Sequence, residues 1–201
     1  MVSHAVERPK LTAKGERTRA RIVNEAAALI HERGVAATTL EDVKAAASVS
    51  GSQLYHYFPD KNDLVQAVID HQADKIVTQN RRALGSADGL AAWRNMIITG
   101  ATLTQARGGC ALGSLGGQLA ESDPEARALI SAGFEQWVAA LSDGLRSLHA
   151  DGKLAPDIDP DDLATTLLAT LQGGLLLSQV QRSTRPLEIA VDTLLALTIG
   201  R

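Results

Sequence analysis

Between Thr39 and Lys61 the chain gathers side chains that hydrogen-bond well but carry no catalytic pairing. Ser50, Ser52, Gln53 and His56 sit among apolar Val49, Leu54 and Phe58 so that, on a short helix, they share the outward side. All four can donate or accept hydrogen bonds. A Gln side chain at that place can pair bidentately with adenine, while Ser reads base edges less selectively. Thr39, Tyr55, Tyr57 and Lys61 each bring a donor suited to phosphate oxygens. The chemistry these residues favour is recognition of a polyanion with readable edges.

Catalysis and metal binding find little support. The histidines (His4, His31, His56, His71 and His149) are scattered without metal-ligand spacing, and Cys110 is the only cysteine. No Gly-rich phosphate loop follows a strand pattern, and Ser114, between Gly113 and Leu115, lacks the strand–turn–helix setting of a nucleophile elbow. We therefore expect no enzyme activity, no metal and no cofactor.

The elements that must position these residues are helical. Hydrophobic residues make up 45% of the 201-residue chain but aromatics only 3%, and Ala and Leu dominate, which favours an all-α fold over a sheet. An arm without apolar periodicity is expected over residues 1–15, with Pro9 and Gly15. Helix 1 is expected from about Glu16 to Arg33, with Ile22, Ala26, Leu29 and Ile30 on one face and Gly34 as C-cap. Thr39, followed by Asp42, opens helix 2 (Leu40 to about Ala47) as a capping box. Ser50 opens helix 3 over Gly51–Phe58, and Pro59-Asp60 closes it.

Two short helices on a longer first one predict a helix-turn-helix over residues 16–60, with helix 3 as the element that enters the major groove. Helix 4 is expected from Lys61 to about Ala83 and joins this unit to a second helical domain over 61–201. Its helices are expected near 90–106, 112–120, 124–150, 160–181 and 186–199, with Asp123-Pro124 and Asp159-Pro160 as strong start signals.

Net charge is −3, yet residues 1–61 carry +2 and residues 62–201 carry −5. Six basic residues precede Ile22, among them Lys10, Lys14 and Arg17, against Glu7 and Glu16 alone. A basic arm on an acidic body fits site-specific DNA binding, although many N-termini are basic for no functional reason; dense non-specific binding would need more positive charge. The reduced cysteine and the absence of a signal-type N-terminus point to the cytoplasm. Leu163 to Val180 comes closest to a membrane span, but polar residues interrupt it and it reads as a buried helix.

The run Thr38-Thr39-Leu40-Glu41-Asp42-Val43, then Val49-Ser50 and Leu54-Tyr55-His56-Tyr57-Phe58-Pro59-Asp60-Lys61, closely resembles the DNA-binding domain of the tetracycline-repressor (TetR) family. The resemblance covers Arg17 to about Ile69. It implies that Thr39, Tyr55, Tyr57 and Lys61 contact phosphates and that Ser50, Gly51, Ser52, Gln53, Tyr55 and His56 face bases. Gly51 departs from the many relatives with Lys or Arg there, so a positive contact is missing and Lys10, Lys14 and Arg17 are expected to compensate.

Gly108-Gly109-Cys110-Ala111-Leu112-Gly113-Ser114-Leu115, Ser122-Asp123-Pro124-Glu125-Ala126-Arg127 and Leu171-Gln172-Gly173-Gly174-Leu175 resemble a TetR subgroup that includes multidrug- and flavonoid-responsive repressors. This implies a ligand-responsive repressor that binds a palindromic double-stranded operator as a homodimer. A small hydrophobic or aromatic effector releases it, and helix 4 transmits the change.

Trp93, Met96, Cys110, Leu115, Phe134 and Trp137, with Gln118 and Gln172 as polar anchors, are the candidate effector site. Trp93, Phe134 and Trp137 serve equally well as ordinary core residues, and Cys110 as a small hydrophobe. The Leu-rich last two helices, about 160–181 and 186–199, are expected to share their apolar surface between the core and the dimer interface, with Gly173-Gly174 allowing close backbone approach.

Overall fold

Residues 11–198 are described by the computed structural model, and among them the chain is all-α. The helices are α1 (Ala13–Arg33), α2 (Leu40–Ala46), α3 (Gly51–Tyr57), α4 (Lys61–Leu84), α5 (Gly89–Leu103), α6 (Ala111–Leu119), α7 (Pro124–Ala150), α8 (Pro160–Gln181) and α9 (Arg185–Thr198).

α1 begins three residues earlier than the expected Glu16. The Thr12 hydroxyl accepts from the Gly15 amide at 3.2 Å, and Glu16 lies in the first turn, where the helix dipole favours an acid. This cap overrides the helix-weakening effect of Gly15. Lys14, Arg17 and Arg21 consequently sit on α1 at helical spacing, all exposed. Lys10 and the rest of the expected arm through residue 10 lie outside the described residues, as does Ile199 at the expected end of the last helix.

α2 and α3 each open with a reciprocal capping box. Asp42 accepts from the Thr39 amide at 2.9 Å while Thr39 Oγ1 accepts from the Asp42 amide at 3.1 Å. Gln53 Oε1 accepts from the Ser50 amide at 3.0 Å while Ser50 Oγ accepts from the Gln53 amide at 3.2 Å. The sequence reading anticipated the first box but not the second.

Two hydrophobic clusters divide the molecule. The first joins Ile22, Val23, Ala26 and Ile30 of α1 to Val43, Leu54, Phe58, Leu64, Val68 and Ile69. It is closed from the far side by Leu112 and Leu115 of α6 and Ala126 and Ile130 of α7. The second is built from α4, α5, α7, α8 and α9 around Trp93, Trp137, Leu141, Leu145, Leu167, Leu171 and Leu187. α4 supplies both, Leu64 to Ile69 to the first and Val77 and Leu84 to the second. α4 is thus buried at both ends and spans the two clusters.

α8 buries Leu163, Leu167, Leu171, Gly174 and Ser178 against α7 and α9. By length and mean hydropathy (1.3) it is apolar enough to cross a bilayer, contrary to the reading that no stretch qualifies. The reason is its second apolar stripe: Leu176, Leu177 and Val180 are exposed, as are Ile189 and Leu197 on α9. Gly174 permits the α8–α9 contact, since a Cβ there would lie 2.8 Å from a Leu187 methyl and 3.1 Å from its Cα. Gly173 instead faces open space beside the exposed stripe.

Candidate functional site

α3 is held against α1 and α4 by Leu54 and Phe58, both fully buried. Its other side carries Ser50, Ser52, Gln53, Tyr55 and His56, all exposed, with Gly51 and Tyr57 half-buried. The polar groups on this side are partly engaged in local structure. Gln53 caps its own helix, Ser50 Oγ lies 3.0 Å from Ser52 Oγ, and the His56 and Tyr57 rings meet edge-to-face at 5.0 Å. Tyr57 Oη lies beside Gly15, so it reaches the first turn of α1.

Thr39 and Lys61 lie at the flanks of this surface. Thr39 Oγ1 donates to Asp42 Oδ2 at 2.6 Å, a bond that holds the Asp42 carboxyl below its ordinary pKa. Lys61 Nζ donates to the Ala36 carbonyl at 3.5 Å. At the N-termini of α2 and α4, Asp42 and Asp60 occupy part of the free N–H set, so less of it is open to phosphate than an uncapped helix would offer.

Between the two clusters lies a cavity of about 330 Å³. Of the residues named as the candidate effector site, Met96, Cys110 and Trp137 line it. Trp93 is fully buried behind it, where its Nε1 donates to Asn80 Oδ1 at 2.6 Å and the Asn80 amide donates in turn to the Ile76 carbonyl at 2.8 Å. Leu115 sits in the helix-turn-helix core. Phe134 stacks on Trp137 at 6.4 Å and lines a separate surface cleft. Gln172 donates to Cys110 Sγ at 3.4 Å from an adjoining cleft on the other side of α6. Gln118 accepts the Val35 amide at 2.7 Å, tying α6 to the α1–α2 turn.

The wall also contains residues that sequence reasoning passed over. Gln72, Lys75, Ile76, Gln79 and Asn80 come from one face of α4, and His31 comes from the last turn of α1. The polar character of that α4 face reads as solvent exposure in sequence, and no local pattern marks His31. Burial, and then the nearby Lys75 charge, push the His31 pKa below its ordinary value, so the ring is neutral at neutral pH.

The segment from α5 to α6 forms the remaining wall. Gln105 (φ 52°), Ala106 (54°), Gly108 (81°) and Gly109 (61°) all adopt positive φ. Thr104 Oγ1 donates to the carbonyls of Gly100 and Ala101, and the Ala106 amide closes on Ala101 at 2.8 Å, which ends α5 at Leu103 instead of the expected Ala106. A Cβ at Gly108 would collide with the His31 ring.

Gly108→Ala should therefore cost about 1–3 kcal/mol, from a disfavoured backbone plus displacement of His31. Gly117→Ala, in open space on α6, should be neutral or stabilising by up to about 1 kcal/mol. Urea midpoints of the two variants test this; an unchanged midpoint for Gly108→Ala would remove the contact's significance.

Comparison with known proteins follows the same division. Residues 22–68 match the family described as "Bacterial regulatory proteins, tetR family", and residues 87–194 match "Tetracyclin repressor-like, C-terminal domain". The chain is 31% identical over 180 residues to an HTH-type transcriptional regulator of Mycobacterium tuberculosis (strain CDC 1551 / Oshkosh), MT0206, covering 85% of this chain and 89% of that one.

A regulatory protein TetR from Rhodobacter sphaeroides shares the fold with a TM-score of 0.81 at 22% identity, covering 90% of this chain and 98% of that one. SmeT, the repressor of a Stenotrophomonas maltophilia multidrug efflux pump, solved with triclosan, shares it with a TM-score of 0.71 at 23% identity, covering 92% of each chain. Since the sequence match runs through the cavity-bearing half as well as the helix-turn-helix, this chain belongs to the TetR family of transcriptional regulators.

Proposed function

We propose that the protein is a ligand-responsive repressor that binds a near-palindromic operator as a homodimer and is released by a small effector in the cavity. One observation carries the reading: a cavity of about 330 Å³ whose wall joins α4, α5, α7 and α8 to His31 of the helix-turn-helix unit. A ligand there touches the DNA-binding unit directly and touches α4, the helix that both clusters share. The triclosan complex of SmeT supports an apolar, aromatic effector by likeness.

In the proposed dimer the stripe Leu176, Leu177 and Val180 on α8 packs with Ile189 and Leu197 on α9 across a two-fold axis. The two α3 helices would then enter successive major grooves about 34–36 Å apart. An effector that favours another spacing shifts the population, with a coupling of about 1–3 kcal/mol typical of such linkage.

Binding to the DNA upstream of the protein's own gene, against a scrambled duplex at physiological salt, tests the reading. Two symmetric protected half-sites are expected. Equal weak binding to both duplexes, with and without candidate effectors, would overturn it.

Two substitutions separate the proposed roles on the α3 side. Lys61→Ala should weaken binding about equally on all sequences and lower the salt slope by about 1 per half-site. Gln53→Ala should relax one base position by about 1–3 kcal/mol. It should also cost about 0.5–1 kcal/mol of stability, because Gln53 closes the α3 capping box. A uniform loss of affinity for Gln53→Ala would remove it from base reading and leave it as a cap only.

A further inference from the structure

The polar inventory of the cavity is one-sided. Its charged side chains are Lys75 of α4 and Arg107 of the α5–α6 segment, and no Asp or Glu lines it. Neither cation forms an ion pair with a described residue. Two like charges bordering one low-dielectric space repel each other and attract any anion that enters.

Both cations are exposed, so they sit where the cavity meets solvent, while Ile76, Met96, Ile97, Trp137, Leu171 and Leu175 form an apolar interior. Inside, Trp137 is 3% exposed, and its indole N–H is buried without an acceptor. A buried donor left unpaired is costly, and Trp137 belongs to the cavity wall. His31 Nδ1 is likewise buried and unpartnered on the same wall.

We propose that the effector is an amphipathic organic monoanion, with an aryl or alkyl body in the interior and a carboxylate at the mouth held by Lys75 and Arg107. The arrangement suits the energetics of charge. A carboxylate kept at the mouth retains part of its hydration and gains two charge-assisted donors, whereas one pushed to the floor would lose its water to Leu171 and Leu175. The neutral imidazole of His31 adds a dipolar contact on the DNA-binding side without competing as a third cation.

This inference rests on the cavity being the effector site, and the test keeps the two apart. The purified protein is titrated calorimetrically with 2-naphthoxyacetate and with its uncharged isostere 2-naphthoxyacetamide, and operator binding is measured on the same preparation. The acid is expected to bind at least ~10-fold more tightly than the amide. A Lys75→Gln/Arg107→Gln double variant should lose that preference, and an unchanged urea midpoint and circular dichroism spectrum would show that its fold is intact.

Equal affinity of acid and amide, or a preference that survives in the double variant, would overturn the anion proposal. Failure of the acid to bind saturably would overturn it as well. Specific operator binding in that same preparation would show that the repressor reading stands without it; its loss would show that both have fallen.

Discussion

Phe58→Ala will destabilise the protein by about 3–5 kcal/mol and abolish operator binding at growth temperature. Phe58 is the C-cap residue of α3 and is fully buried. It shares one buried cluster with Ile22 of α1, Leu54 of α3 and Leu64 of α4, and the Arg19 guanidinium lies 5.1 Å from its ring centroid. Truncation would leave a cavity in a cluster whose helices α2 and α3 are only seven residues each and cannot hold themselves without packing.

Since α6 and α7 residues share this cluster, unfolding should remain a single transition moved to lower denaturant, instead of separate melting of the first three helices. Urea denaturation followed by circular dichroism measures it. Leu103→Ala, at 80% exposure, serves as the control and should change stability by less than about 0.5 kcal/mol. A loss below about 1 kcal/mol for Phe58→Ala would mean that the cluster repacks without the ring.

The second large effect concerns the exposed stripe. Val180→Asp together with Leu197→Asp should leave the chain folded but monomeric, and operator affinity should fall by about 10²–10⁴. Both side chains are more than 70% exposed, so a carboxylate at either place costs little within one chain. In the proposed dimer each carboxylate would be buried against leucine and meet its symmetry-related copy, which a self-complementary interface cannot tolerate.

On the proposed reading a monomer would grip one half-site and lose the effective concentration that a linked second site provides. Multi-angle light scattering and an operator titration read the two consequences separately. A variant that stays dimeric would move the interface elsewhere. A monomer with parental affinity would show that half-site linkage adds nothing.

What the sequence determined by itself was local. Proline at the first position of α7 and α8, Thr39 with Asp42, Ser50, and Gly34 with φ 85° are signals that act within one helical turn, and the helix ends follow them closely. The pattern Leu54 and Phe58 inward against Ser52, Gln53, Tyr55 and His56 outward is also a short-range periodicity, which is why the polar face of α3 was legible.

Tertiary structure decided the rest. Seven leucines of α8 look alike in sequence, yet Leu163, Leu167 and Leu171 are core, Leu175 lines the cavity, and Leu176 and Leu177 are surface. Trp93, Phe134 and Trp137 are equally plausible pocket walls by type. Packing alone distinguishes them: Trp93 is fully buried with its indole bonded to Asn80, Trp137 lines the cavity, and Phe134 stacks on Trp137 and lines another cleft. His31, Lys75 and Arg107 come together from three segments far apart in the chain. The physical reason is the range of the interactions. Caps and periodicity are settled between neighbours in the chain, whereas a cavity is the space left when distant helices have packed, and no residue carries a local mark of which space it will face.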